Sequence, residues 1–106
     1  MKLLNAGASI DQRRGQDGTT AVFAASAEGH LKCLEILLGR NADITIPSSV
    51  TGLLPQHIAS YLNNPECLKC LIENQCDLNH VEPDDGFSPL MIACKASNTE
   101  CIDILV

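Results

Sequence analysis

The sequence predicts an all-α repeat solenoid, in which helix-turn-helix units stack side by side. Three observations carry this. The first is a register. With a shift of 34 residues, Ser9, Asp43 and Asp77 coincide, as do Gly18, Gly52 and Gly86, Ala25, Ala59 and Ala93, and Cys33, Cys67 and Cys101. Turn, apolar and cysteine positions that keep one period mark an architecture in which each unit touches only its neighbours. The second is composition: Leu and Ala together supply 24 residues against 13 Val plus Ile, a balance that favours helix over strand. The third is the scarcity of large side chains, with Phe23, Tyr61 and Phe87 the only aromatics and no Trp. Units that stack on small residues have no central core for aromatics to fill.

Each unit reads as a Gly-containing turn, a short inner helix, a Gly or Asn break, an apolar outer helix and a loop with Asp. In the first unit the inner helix is predicted at about Thr20–Ala27 and the outer at about Leu31–Leu38. In the second they fall at about Pro55–Leu62 and Pro65–Ile72, and in the third at about Pro89–Ala96 and Thr99–Val106. Leu34, Leu37 and Leu38 stand at i, i+3 and i+4 and make one apolar stripe. Thr20, Asn64 before Pro65, and Ser88 before Pro89 are placed as N-caps. Leu54 has no side-chain acceptor, so the middle inner helix lacks that cap, a deficit of about 1 kcal/mol. The chain divides into a partial unit at 1–12, then units at 13–46, 47–80 and 81–106, the last cut within its outer helix. A frame cut inside an outer helix at both ends suits a slice of a longer array, or an uncapped one that self-associates end to end.

The first unit carries Gly18-Thr19-Thr20-Ala21-Val22-Phe23-Ala24-Ala25-Ser26-Ala27-Glu28-Gly29-His30, then Leu37-Leu38 and Asn41-Ala42-Asp43. The second keeps Pro55, His57, Ala59, Leu71-Ile72 and Asp77-Leu78-Asn79, and the third Ser88-Pro89-Leu90, Ala93 and Leu105-Val106. On these residues the chain resembles the ankyrin-repeat proteins, whose pattern runs G-x-T-P-L-H-x-A-A-x-x-G-H, an apolar helix ending L-L, then G-A-D-x-N. The resemblance implies ankyrin-type helix-turn-helix units joined by β-hairpin-like finger loops, and a non-enzymatic protein–protein interaction module that binds on the concave face of its fingers and inner helices. Phe23 and Met91 replace the family His that hydrogen-bonds to the loop, so only His57 should keep that tie. Leu71, Asp77, Leu78 and Asn79 also resemble asparaginyl-hydroxylase targets of the L-x5-D-[V/I/L]-N kind, which implies hydroxylation of Asn79. The alternative is that Asn79 only fills its turn.

The formal net charge is −6. Residues 1–40 carry five Lys/Arg against four Asp/Glu, net +1, and residues 41–106 carry two against nine, net −7. No basic stripe is available to neutralise phosphates, which argues against nucleic acid, and the acidic part favours a basic partner surface. No stretch reaches the roughly 20 apolar residues of a membrane span. No G-x-S-x-G, P-loop, H-E-x-x-H or spaced carboxylate pair is present, so neither an enzyme nor a cofactor is expected. Cys67-Leu68-Lys69-Cys70 is a C-x-x-C, open to a zinc or a thiol-redox reading. The register favours core packing instead: Cys33, Cys67 and Cys101 share one apolar position, Cys70 aligns with Ile36 and Ile104, and Cys94 with Ser26 and Ser60. No metal site is therefore expected. Unpaired thiols imply a reducing compartment, cytoplasm or nucleus.

Carried over by position, the fingers are about Arg13–Thr19, Pro47–Leu53 and Glu82–Phe87. The outward ends of the inner helices are Ala27 and Glu28, Tyr61 and Leu62, and Lys95 and Ala96. The middle of this surface is apolar. Partner binding is expected at Val50, Leu53, Tyr61, Leu62, Asp84, Asp85, Phe87 and Lys95, with Glu82 part of the acidic finger and Arg13 and Arg14 on the far side. The partner segment would carry an apolar residue and a Lys or Arg. In the competing arrangement Leu53 and Leu62 turn inward. A spacer or scaffold role inside a longer array is the alternative function, and thiol-redox chemistry at Cys67 and Cys70 a third.

Overall fold

The computed structural model describes residues 8–106, and among them six helices alternate between an inner and an outer layer. Thr20 has extended backbone and its hydroxyl accepts the Phe23 N–H at 3.3 Å, opening α1 (Ala21–Glu28). Gly29 ends that helix in the left-handed region, and α2 (Leu31–Gly39) follows at once. The second unit holds α3 (Pro55–Tyr61) and α4 (Pro65–Glu73), and the third α5 (Pro89–Lys95) and α6 (Thr99–Leu105). Every boundary lies within one residue of its predicted place. Most of the partial first unit, with Leu3, Leu4 and Gly7, lies outside the described residues.

The two layers follow from which residues are small. α1, α3 and α5 stack in one row and α2, α4 and α6 in the other. Ala25, Ala59 and Ala93 lie buried between inner helices, where a larger side chain would hold neighbours apart. Leu34, Leu68 and Leu71 are fully buried and form the seam between the rows. The result is an elongated body of 45 × 26 × 20 Å.

Two helix starts differ from expectation. Leu54 does lack a side-chain cap, but His57 supplies one from three residues inside α3: its Nδ1 accepts the Leu54 N–H at 3.0 Å. Asn64 makes no cap on α4. Its Nδ2 instead donates to Ser26 O at 2.7 Å and Ala27 O at 3.1 Å, clasping the end of α1 one unit back. Asn98 repeats the clasp on Ser60 O at 2.7 Å and Tyr61 O at 3.0 Å. A terminal carbonyl of a neighbouring helix is a stronger claim on the amide than its own first turn, because those carbonyls have no partner within their helix.

Not every core expectation holds. Cys67, Cys70 and Cys101 are buried and Cys76 half-buried, but Cys33 and Cys94 are exposed. Cys67 and Cys101 each point their thiol at a carbonyl of the preceding unit, Ala25 O and Ala59 O. Cys33, in the same register, is exposed on the first outer helix, as is Ile36 of α2. Cys94 sits on the opposite end face, where Ser26 and Ser60 are covered by the next unit.

The fingers take no strand among the described residues. Each is a tight turn closed by two backbone bonds: Arg14 N–H to Thr19 O, Ser48 N–H to Leu53 O and Glu82 N–H to Phe87 O, at 2.7, 2.9 and 2.9 Å, and the N–H of Gly18, Gly52 and Gly86 back to the carbonyls of Arg14, Ser48 and Glu82, at 2.7, 2.8 and 3.0 Å. A loop closing over so few residues leaves no room for a ladder, so the expected hairpin shape stops at the turn. Gly52 has φ 73°, and a Cβ there would lie 2.4 Å from Pro83, so the second finger packs on the third only because this position is glycine.

Candidate functional site

The concave corner between fingers and inner helices opens into a cleft of about 450 Å3 on the second and third units. Leu53, Asp85 and Phe87 wall it from the fingers, and Tyr61, Ile92, Lys95 and Ala96 from α3 and α5. Of the residues expected at a partner site, Leu53, Tyr61, Asp85, Phe87 and Lys95 are thus brought together. Val50, Leu62 and Asp84 lie outside its walls, all exposed: Val50 is 70% and Leu62 46% exposed, so Leu62 does not turn inward. Leu53 is half-buried and faces the cleft. Tyr61 is 57% exposed, and its backbone carbonyl accepts from Asn98 Nδ2 at 3.0 Å.

The third finger is organised by a residue that sequence reasoning assigned to its acidic surface. Glu82 is only 7% exposed. Its carboxylate accepts the N–H groups of Asp84, Asp85 and Phe87 at 3.2, 2.6 and 3.2 Å. Burial opposes its ionisation, but these backbone donors prevail and hold its pKa below the ordinary value. Glu82 therefore shapes the loop and leaves Asp84 and Asp85 as the exposed carboxylates. At the equivalent place Ser48 Oγ accepts from Val50 and Thr51 N–H, at 3.3 Å each, and in the first finger Asp17 accepts from Thr19.

Lys95 places its ammonium 5.2 Å from the centre of the Phe87 ring, a cation–π contact that props the ring against the cleft. Ile92, one turn earlier on α5, forms the floor and was not singled out from sequence. Its spacing of three from Lys95 is the signal that would have found it.

His57 is fully buried. Since Nδ1 accepts from Leu54, Nε2 carries the proton and donates to His80 O at 2.9 Å, the loop tie expected of this residue alone. Burial pushes its pKa below the ordinary 6.5. Asn79, the hydroxylation candidate, is exposed in a turn set by Asp77 Oδ1, which accepts the Asn79 N–H at 2.9 Å. Burial raises the thiols of Cys67 and Cys70, and carries Cys76 up to about 11. Raised thiols hold little thiolate at neutral pH, the reverse of what redox nucleophiles need. No group of three or more His, Cys, Asp or Glu side chains able to hold a metal occurs among the described residues. No helix among them is long and apolar enough to cross a membrane.

Paired helices stacked in two layers, with an open concave corner, define a helical-repeat protein. The family model described as Ankyrin repeats (3 copies) matches residues 46–106, and the one described as Ankyrin repeat matches residues 17–49. The chain belongs to the ankyrin-repeat family. A search of curated proteins returned no match.

Proposed function

We propose that this chain is a non-enzymatic protein-binding module whose partner seats an apolar side chain in the cleft between Leu53, Tyr61 and Phe87, and a Lys or Arg against Asp84 and Asp85. The observation that carries this reading is the cleft itself: an apolar hollow between two structured walls, beside two exposed carboxylates that have no ion pair among the described residues. An apolar hollow with aromatic side chains in its walls is where binding energy concentrates at interfaces. Free thiols and ankyrin-type stacking suit a cytoplasmic or nuclear setting.

The test begins with capture by the immobilised chain and identification of what is retained. The purified partner is then titrated calorimetrically against the wild type and Tyr61→Ala/Phe87→Ala. The double variant should weaken binding by more than about 1 kcal/mol, with an unchanged helical spectrum. Equal affinity for both proteins would remove the cleft as the site. A spacer role predicts no partner whose binding depends on these two rings.

Asn79 is proposed as a modification site on the same molecule, on the strength of its exposed turn. Co-expression with an asparaginyl hydroxylase should add one oxygen, read by intact mass and located by peptide fragmentation. An unmodified mass under conditions that modify a control substrate ends this proposal.

A further inference from the structure

The concave surface has two rows of side chains, and their charges run in opposite directions. Along the fingers, exposed residues pass from Arg13 and Arg14 in the first, through Val50 in the second, to Asp84 and Asp85 in the third. Along the ends of the inner helices they pass from Glu28, through Tyr61 and Leu62, to Lys95. One row therefore reads positive, apolar, negative, and the other negative, apolar, positive. Contacts within the chain leave most of these charges available. Arg13 donates to Ser49 Oγ at 2.8 Å, a neutral acceptor. Lys95 lies over the uncharged ring of Phe87, and Glu28 faces His30 at 3.5 Å. Of these cations, only Arg14 approaches a carboxylate among the described residues, Asp17 at 3.9 Å.

Such a pattern is complementary to itself. Turn a second copy by half a turn about the long axis of the stack, and its finger row falls on the helix row of the first, unit against like unit. Arg13 and Arg14 then meet the second copy's Glu28, Asp84 and Asp85 meet the second copy's Lys95, and Val50 meets Tyr61 and Leu62 at the centre. The two-fold makes every one of these contacts twice. We infer that a second copy of this chain is a partner of the concave surface, docked in this isologous arrangement. The inference rests on reading that surface as the interaction face, and it adds a regulation: self-association and binding of a foreign partner exclude each other at the cleft.

The charges also choose the register. Stacked helices are about 10 Å apart, and screening reaches about 8 Å at physiological salt, so each pair acts locally. A slide by two units sets Arg13 and Arg14 over the second copy's Lys95, like charge on like. The other half turn, finger against finger, also pairs opposite charges. It sets helix row on helix row, however, so Lys95 then meets the second copy's Glu28 and not its Asp84 and Asp85, and charge-swapped variants tell the two arrangements apart.

Sedimentation velocity on the full chain tests this, over about 10 μM to 1 mM, where small interfaces of this kind associate. The expected result is a monomer–dimer equilibrium whose dissociation constant rises at least about tenfold in 0.5 M salt, where the screening length is a few ångström. Lys95→Glu should weaken it at least as much, and an equimolar mixture of Lys95→Glu with Asp84→Lys/Asp85→Lys should restore it, since both finger-on-helix contacts are then complementary again. Circular dichroism checks that the variants, all at exposed positions, remain folded. A chain that stays monomeric throughout overturns the inference, as does a dimer insensitive to these charges, the behaviour of end-to-end stacking. Rescue of Lys95→Glu by Glu28→Lys, and not by the finger substitutions, also overturns it, because that pairing belongs to the finger-on-finger arrangement. None of these failures touches the Tyr61/Phe87 test on a foreign partner, so the two readings fall separately.

Discussion

His57 performs three tasks with one ring. It closes the start of α3 through Nδ1, reaches His80 O through Nε2, and fills space at zero exposure. Only the neutral ring with its proton on Nε2 can do the first two together. The His80 ring stands 5.7 Å away, so a charge on either ring opposes a charge on the other. Because burial lowers the folded pKa below 6.5, the unfolded chain takes up this proton first as pH falls. Stability from this residue is therefore fully present above about pH 6.5 and is lost as pH drops from there towards the folded pKa. Denaturant melts at pH 7.5 and 5.5 should show this loss in the wild type and a smaller one in His57→Gln. Equal pH dependence in the two proteins would assign the effect elsewhere. The residue type and its loop tie were legible in the sequence. Its capping of Leu54 was not, because histidine is an unusual acceptor at that place in a helix.

Between elements, the amide clasps of Asn64 and Asn98 join each outer helix to the end of the inner helix one unit back. The site depends on this, since Asn98 holds Tyr61 O and so the wall of the cleft. Gly29 shows how closely the parts fit: a Cβ there would come within 3.1 Å of Asn64 Oδ1. Asn98→Ala should cost about 1–2 kcal/mol, the penalty of leaving partly buried carbonyls without a donor. Thermal unfolding reads this as a fall of several degrees in Tm, about 4–8 °C per kcal/mol at this size. A Tm unchanged by Asn98→Ala would show that water replaces the amide at no cost. The clasps were hidden from local reasoning because Asn at a helix start, before Pro65 in one case and Thr99 in the other, is a cap by every short-range rule. The signal that could have found them is their spacing, since Asn64 and Asn98 keep the repeat register.

At the scale of the whole molecule, curvature and length come from the stacking of small side chains, and the binding face from what each unit leaves outside the stack. The inner helices bury Ala25, Ala59 and Ala93 in the same register and turn Glu28, Tyr61 and Lys95 outward at their ends. A single repeating backbone thus carries three different chemistries along each row, and the cleft forms where apolar and charged ends adjoin. Period, helix limits, buried alanines and leucines, and the column of exposed apolar residues were all determined by the sequence alone. They depend on pattern within a unit, and the unit is written out three times. Tertiary structure alone decided that Glu82 turns into its own finger, that Asn64 and Asn98 reach back, and that Cys33 and Cys94 stay exposed while Cys67 and Cys101 are buried. The reach of Asn64 and Asn98 and the burial of Cys67 and Cys101 depend on the neighbouring unit, one full repeat away in the chain but in direct contact in space, while the turn of Glu82 depends on how its own loop closes to present the N–H groups of Asp84, Asp85 and Phe87.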